Sequence, residues 1–470
     1  MLTEKTIQPL KPWYWRSLPL QKRTGSEVFA ALFLHEPIAT LLESPDTSDS
    51  GQINLTRYSI CAGSPRTSKG QPQLWTPKLG SILPFLDSLL KRTQFNNNYN
   101  NSQIAHLPFI GGWLGWLGYD LAWEIERLPS LNQDTLPFPV AYWYEPECFA
   151  VLDRFQQTLW LAASSSEQLN DLEARLSTPM QTEKFCSATA ITYLTDRQQY
   201  QNAVKRAKQY IQAGDIFQAN LSLRFQASTT TDSWSIYQQL QNINPSPFAS
   251  YWRSPWGDVI SCSPERLIKL EDNIAQTRPI AGTRKRGRTV ESDRSLADEL
   301  LSNAKERAEH IMLLDLERND LGRVCQWGSV EVDELLVIER YSHVMHLVSN
   351  VKGILQSDRN AIDLIRGVFP GGTITGCPKV RCMEIIEELE PVRRSLFYGS
   401  CGYLDCRGNL DLNILIRTLL YVKSISSNTA LVYGQVGAGI VADSVPEREW
   451  YESLSKAEAQ IAALQFDTYT

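Results

Sequence analysis

The stretch Gln435–Lys456, QVGAGIVADSVPEREWYESLSK, decides how the rest of the chain is read. An apolar, strand-like run from Ala430 to Tyr433 leads into Gly437-Ala438-Gly439. Glycines placed there predict a turn whose backbone N–H groups approach an anion closely. The helix after it has a legible start. Ser444 is its expected cap, Pro446 suits the first turn, and Glu447 completes an S-x-x-E capping box. Glu449, Glu452 and Lys456 fall at i, i+3 and i+7 and share one face, while Trp450, Leu454, Ala457 and Ile461 take the other. Two carboxylates and an ammonium beside an anion-binding turn suggest a metal-bridged carboxylate substrate. The plainer alternative is a solvated charged face carrying a Glu452–Lys456 pair.

Working outward, a helix is expected from about Thr195 to Ala213, opened by a Thr195/Gln198 capping box and closed at Gly214. A second, long helix is expected over Asp293–Leu316, with Leu296, Leu300, Ala304, Ala308, Ile311 and Leu314 inside, and a third over Val380–Leu389, closed by Pro391. Strand candidates lie between them: IFQANLSLRF, VISCSPERLIKL, ELLVIERY, YGSCGYLD, NILIRTLLYV and ALVYGQVGAGIV. Strands and helices do not alternate strictly, so the expected class is α+β rather than a doubly wound parallel sheet. Ser44–Gly51 and Asn96–Ser102 read as surface loops, and the polar stretch Ser164–Thr192 as the main boundary, separating residues 1–185 from 190–465.

Composition narrows the function. The 470 residues are 43% hydrophobic and 21% charged, an ordinary globule too long for one small core. A net charge of −6, with only short basic runs such as Arg284-Lys285-Arg286, leaves no footprint for nucleic acid. The N-terminus lacks a signal-peptide core, and no apolar stretch approaches the roughly 20 residues that span a bilayer, so a cytoplasmic protein is expected. Nine cysteines without a C-x-x-C pair indicate neither a disulfide framework nor a zinc site.

Nine segments, in order, resemble the chorismate-utilising synthase family, which comprises the anthranilate, aminodeoxychorismate, isochorismate and salicylate synthases. They are GDIFQANLSLRF, SPERL, TRPIAGTRKRG, KERAEHIMLLDLERNDLGRV, ERYSHVMHLVS, FPGGTITGCPKVRCMEIIEELEP, GSCGYLD, LNILIRT and GAGIVADSVPEREWYESLSK. The first half matches more loosely, through PFIGGWLGWLGYDL and LLES followed by RYS. The resemblance implies two antiparallel sheets packed face to face with helices outside. It implies Mg²⁺ held by Glu309 and Glu452, with Glu449 close by, and a substrate carboxylate held by Arg417, the Gly437-Ala438-Gly439 amides and Lys456. Surface placement of Glu309 and an internal salt bridge for Arg417 are the plainer alternatives. Glu265 of SPERL is the implied general acid for the departing C4 hydroxyl, unless it simply pairs with Arg266 or Arg278. His346 and Thr373 would line the pocket, as would Ala281, Gly282 and Thr283 of PIAGT.

Gln218 speaks to the nucleophile. Family members that add water resemble one another in placing a lysine there as base, and an amide cannot deprotonate water. Ammonia needs positioning more than activation. The chain has no amidotransferase signature, which implies a glutamine amidotransferase partner subunit, component II. Two products follow from amination: anthranilate from C2, or 4-amino-4-deoxychorismate from C4. Aminodeoxychorismate synthases typically read PIKGT, with a lysine that adds covalently, and Ala281 departs from that pattern. Ala281, ERYSHVMHLVS and LLES look like anthranilate synthase. In that branch Leu42, Glu43 and Ser44, with Arg57, Tyr58 and Ser59, resemble a regulatory tryptophan pocket, a plain strand and loop being the alternative. QANLS with Asn220, SPERL, WLGYDL, GSCGYLD and DLNILIRT look like the aminodeoxychorismate branch. The extended likeness favours aminodeoxychorismate synthase component I. A chorismate or tryptophan binder without turnover would be expected to lack one of Glu265, Glu309, Arg417 and Glu452, and all four are present.

Overall fold

The computed structural model describes residues 9–44, 56–93, 102–177, 190–341, 344–424 and 428–465. Two antiparallel sheets dominate it, one of 12 strands and one of 10. The larger runs from Tyr14–Pro19 through Cys148–Asp153, Ala39–Glu43, Phe248–Ser254, Gly257–Ser263, Thr418–Lys423 and Ala430–Ile440 to Gln218–Thr229. The smaller carries Ile280–Lys285, Val344–Ile354, Arg266–Glu271, Leu410–Asn413, Ser400–Asp405 and Gly112–Leu117. Each sheet draws strands from both sides of the 164–192 stretch. The expected α+β sandwich is the observed architecture.

The sheets meet over an apolar, aromatic-rich core. Trp116 of the smaller sheet meets Trp252 of the larger edge-on, with ring centroids 6.0 Å apart. The larger sheet's other face is covered by helices, where Tyr200, Tyr237, Leu240, Trp450 and Ala457 pack with Leu223 and Val432. Ala304–Gly322 and Val290–Ser302 lie against the smaller sheet, the latter placing Ala297 and Leu300 on Met345 and Leu347.

Two strand candidates divide in a way that matters for the site. VISCSPERLIKL is not one strand. Gly257–Ser263 belongs to the larger sheet and Arg266–Glu271 to the smaller, so the chain passes between sheets at Pro264-Glu265. NILIRTLLYV divides likewise, between Leu410–Asn413 and Thr418–Lys423, and passes through Ile414–Arg417. The two passages run side by side. Ile414 N donates to Glu265 O at 3.0 Å, Ser263 Oγ to Ile414 O at 2.6 Å, and Cys262 N to Arg417 O at 3.2 Å.

Several helix boundaries also differ from expectation. The first helix spans Arg197–Gln212, capped by Asp196 with Gln199 rather than by Thr195 with Gln198. The long helix is two, Val290–Ser302 and Ala304–Gly322, parted at Asn303. The third runs over Lys379–Leu389. The polar boundary stretch contains a helix, Ser166–Arg175, with a Ser165/Gln168 capping box. Most of the two predicted surface loops lies outside the described residues. All eight described cysteines are free, six of them buried. Among the described residues no helix is long and apolar enough to cross a membrane.

Candidate active site

The Gly437-Ala438-Gly439 segment is not a turn. It lies within the Ala430–Ile440 strand, paired with Gln218–Thr229 without a break from Ala219↔Ile440 to Thr229↔Ala430. Its pairing with Thr418–Lys423 ends at Gly434, so residues 435–440 keep one edge without a strand partner. The glycines leave room rather than make a bend. A Cβ on Gly439 would stand 2.3 Å from Gln218 Nε2 and 3.3 Å from Glu309 Oε1, and one on Gly437 3.0 Å from Asn220 Oδ1. The bare strand is therefore the floor on which the Gln218, Asn220 and Glu309 side chains rest.

The last helix, Pro446–Leu464, begins at Val445 with no side-chain cap, so the expected Ser444/Glu447 box is absent. Ser444 Oγ instead accepts from Val441 N at 3.1 Å and lies against Glu449, while Glu447 pairs with Arg197. The two faces are as expected. Trp450 and Ala457 are buried, and Lys456 Nζ stands 2.9 Å from Glu452 Oε1 and 3.1 Å from Gly437 O. The plain Glu452–Lys456 pair thus exists, exposed and weak by itself.

The structure brings Glu309 to the same place from a helix far away in sequence. Glu309 Oε1 accepts from Gln218 Nε2 at 3.0 Å. Burial pushes its carboxyl upward, Glu452 adds to the push, and Gln218, Lys456 and Lys305 oppose it. Glu449 is likewise raised, by burial first and by Glu452 among the charges, and its Oε2 is buried without a hydrogen-bond partner among the described residues. Among the described residues no three of His, Cys, Asp or Glu stand together as a ready-made ligand set. The donors are carboxylates that repel one another, one with an unpartnered oxygen. That suits a hard cation bound by a few carboxylates and completed by waters and substrate oxygens, as Mg²⁺ prefers.

The residues of the two passages form a second group, linked to the Gln218–Thr229 strand through Asn220 Nδ2, which donates to Thr373 O at 3.3 Å, and through Thr373 to Glu265. Arg417 holds φ +50°, strained for a non-glycine residue. Its Nη1 donates to neutral Asn244 Oδ1 at 3.0 Å, and among the described residues it has no carboxylate salt bridge. Among the described residues the internal salt bridge that would have made it structural is absent, leaving a half-buried guanidinium fork. His346 is buried, its Nδ1 2.9 Å from Thr283 Oγ1. Burial first and Arg417 second push its pKa down to about 3, so the ring is neutral in ordinary buffers.

Glu265 is buried, and its plainer partners are taken: Arg266 holds Asp411 in a bidentate pair and Arg278 holds Glu334 and Glu339. Burial, helped by Glu317, pushes the Glu265 carboxyl up to about 8 against the opposing contacts of Thr373, Ile280 N–H and Arg417. The Thr373 hydroxyl lies beside that carboxyl, buried and short of full hydrogen-bond geometry with any partner. A neutral acid, a guanidinium and a neutral imidazole thus stand near one another, Arg417 acting on both Glu265 and His346.

Ala281 is buried on Ile280–Lys285, paired with Leu347, and Gly282 takes φ +75° in the bulge before Thr283. Two residues escaped the sequence reading as site groups. Glu306, beside Arg284, points Oε2 at the Gly282 backbone, where a Cβ would stand 2.5 Å away, and Lys305 acts on Glu309. The KERAEH motif contained both, but helical spacing alone does not tell which carboxylate turns inward.

The LLES and RYS residues divide. Leu42, Glu43, Ser44 and Tyr58 line a cavity of about 130 Å³ between the sheets, with Phe248, Arg266 and Asn413. Arg57 instead grips Asp153 through two hydrogen bonds of 2.7 and 3.0 Å, and Ser59 is buried outside that lining.

The model of the chorismate binding enzyme family matches residues 40–462. This chain belongs to that family. Several relatives give the family likeness detail. A Synechocystis sp. protein named "Anthranilate synthase component I-like protein" is 62% identical over 98% of this chain and 93% of its own length. "Aminodeoxychorismate synthase component 1" of Bacillus subtilis is 42% identical over 96% of both. A second protein of the same Synechocystis strain, "Anthranilate synthase component 1", is 38% identical over 92% of this chain and 91% of its own length. The crystal structure of anthranilate synthase component I from Streptococcus pneumoniae covers 86% of this chain and 92% of that one, at 31% identity and a TM-score of 0.74. The chain is a chorismate-utilising enzyme of the anthranilate synthase and aminodeoxychorismate synthase type.

Proposed function

We propose that this chorismate-binding enzyme aminates its substrate with ammonia at C4, giving 4-amino-4-deoxychorismate, the precursor of p-aminobenzoate. The observation that carries the amination reading is the pairing of passages: the Arg417 fork, without a salt bridge among the described residues, beside the protonated acid Glu265. Arg417 grips a carboxylate of the ring acid, with Lys456 and the open edge of the Gly437–Gly439 strand completing its surroundings. Glu265 gives its proton to the C4 oxygen, which leaves as water rather than hydroxide. The incoming nitrogen sheds a proton in exchange, so chorismate and ammonia become the amine and water. Glu309 and Glu452, with Glu449 beside them, would hold Mg²⁺. When bound, that ion neutralises substrate carboxylate charge and fixes the ring acid in place. Gln218, tied to Glu309, is a positioning amide and not a base.

Nitrogen enters without a covalent amine. Ala281 has no nucleophile, and Lys285 lies exposed four residues along the strand, about 13 Å away at ~3.3 Å per residue. The C4 assignment draws support from the relatives. The Bacillus aminodeoxychorismate synthase aligns over nearly its whole length. In Synechocystis the name anthranilate synthase component 1 belongs to a protein more distant than the one 62% identical to this chain. Ala281 favours the second reading, attack at C2 to give anthranilate. In either case the ammonia comes from a separate glutamine amidotransferase subunit.

The test is to incubate the chain with chorismate, Mg²⁺ and an ammonium salt. C4 amination gives no fluorescent product until an aminodeoxychorismate lyase is added, which then releases p-aminobenzoate. Anthranilate fluorescence without the lyase selects the C2 reading. Chorismate unchanged in both assays removes amination altogether and leaves a binder.

A further inference from the structure

Glu317 is a buried carboxyl group that the amination steps leave unused. It lies on the Ala304–Gly322 helix that also carries Glu309, and it meets the smaller sheet. Thr277 Oγ1, on the Ile274–Thr277 strand, donates to Glu317 Oε2 at 3.0 Å. The other oxygen lies against Gly372, where a Cβ would stand 3.3 Å from Oε1, and the Gly372 N–H acts on the same carboxyl. The next residue, Thr373, places its hydroxyl beside the Glu265 carboxyl. One turn of 3₁₀ helix, Gly372–Ile374, therefore links the two acids. That turn is itself tied down. Thr375 Oγ1 donates to Gly371 O at 2.8 Å, and the buried Arg394 donates through Nη1 to Ile374 O at 2.7 Å.

Neighbouring cations are committed elsewhere. Arg266 holds Asp411, and Lys379 pairs with Asp320 and donates to Val368 O at 2.8 Å. Among the described residues neither Glu265 nor Glu317 has a salt bridge of its own. Burial pushes Glu317 upward and Asp320 adds to the push, while Lys379, Thr277 and Gly372 oppose it. Asp320, on the same helix, is raised by burial and opposed by Lys379 and Arg323. Glu265 feels Glu317 and, in opposition, Arg417. Two such carboxyls cost more to ionise together than singly, so they release their protons in two steps. Glu317 has a well-formed donor in Thr277 and an ammonium that acts on it, so it ionises first. We infer that Glu317 is a positioning residue for the general acid: from across the Gly372-Thr373 turn it carries the negative charge that holds the proton on Glu265 until the C4 oxygen takes it. Once Glu265 has given up that proton the pair is doubly charged, which favours uptake of the proton that the incoming nitrogen sheds. The inference rests on the amination reading above, in which Glu265 is the acid.

The experiment follows the Glu265 proton directly, through the infrared carbonyl band of the neutral carboxyl, which is lost on ionisation. The difference between wild type and Glu265→Gln isolates that band, and the same difference on a Glu317→Gln background shows what Glu317 does to it. The expected result is a Glu265 titration at about 8 in wild type that moves down by about one pH unit in Glu317→Gln, with the basic limb of the kcat profile moving alongside. Glu317→Asp keeps the charge and returns both toward wild type. Glu317→Met, uncharged and similar in size, decides in the same way if the glutamine variant does not fold. A Glu265 titration that stays in place in a folded, uncharged variant overturns the inference. So does a loss of kcat of the same size at every pH with the limb unmoved, which marks Glu317 as structural only. A wild type that does not aminate chorismate removes the amination reading, and the shift of the carbonyl band still decides whether Glu317 holds the proton.

Discussion

A buried carboxyl is costly when charged, and Glu265 is a clear case of that cost, its pKa raised to about 8. Burial is the main cause of its raised pKa and Glu317 adds to it, so the group is protonated at neutral pH and stays so up to about 8. A general acid works only in that form, so turnover is expected to hold near neutrality and to fall on the basic side of about 8. Stability has the same sign. The folded-state pKa lies above the ordinary value of 4.5, so the folded chain binds this proton more tightly than the unfolded one. The Glu265 contribution is therefore lost as pH rises through the window from 4.5 to about 8. Glu265→Gln should lower kcat by about 10²- to 10⁴-fold and remove the basic limb of the pH–rate profile, with little change in the KM for chorismate. A variant that keeps both kcat and the limb shows that the acid lies elsewhere. Arg417 was legible as a charged residue inside an apolar run, whereas Glu265 was singled out only through the resemblance carried by SPERL. Asn220 was not legible as a site group, because an amide in an alternating strand looks like any other polar position.

Element boundaries show where local pattern stops being informative. The apolar positions Leu296, Leu300, Ala304 and Ala308 continue across Asn303 as if one helix ran through. In the fold Ala304, Ala308 and Ile311 face outward, and the second helix buries His310, Leu313, Leu314 and Glu317 instead. Asn303 both ends one helix and caps the next, its Oδ1 accepting from Lys305 N and Glu306 N at 3.1 Å. A sidedness change of this kind is set by tertiary packing on the smaller sheet, which periodicity does not encode. The glycine segment misled for a related reason. Gly437 and Gly439 read as a turn, whereas they are strand residues stripped of side chains so that neighbours can lie over them. Because Asn303 fixes the first turn of the helix that carries Glu309, Asn303→Ala should destabilise the chain by about 0.5–2 kcal/mol, read from the urea midpoint. An unchanged midpoint means that packing, and not the cap, sets the break.

At the scale of the molecule, the two-sheet sandwich was implied by resemblance, and the passages between sheets were not foreseen. Apolar runs such as VISCSPERLIKL look continuous because both sheets are buried where the chain changes from one to the other. Those passages place Glu265 and Arg417 together, while the acidic group depends on two helices with different supports. Ala304–Gly322 lies on the smaller sheet, and Pro446–Leu464 on the helix-covered face of the larger. A cation held by Glu309 from the first helix and Glu452 from the second would therefore join the two layers. Binding that favours the folded state adds stability as RT ln(1 + [L]/Kd), about 2.7 kcal/mol at a hundredfold excess over Kd. Mg²⁺ should then raise the melting temperature of wild type in a concentration-dependent way, with no chorismate present. For Glu309→Gln or Glu452→Gln the shift should shrink or vanish. The salt arm of the experiment uses Na⁺ at matched ionic strength, since screening alone also relieves the repulsion of Glu452 on Glu309 and Glu449. A wild-type shift that Na⁺ reproduces, or that survives in both variants, would show that the acidic pair is a screened surface feature and not a metal site.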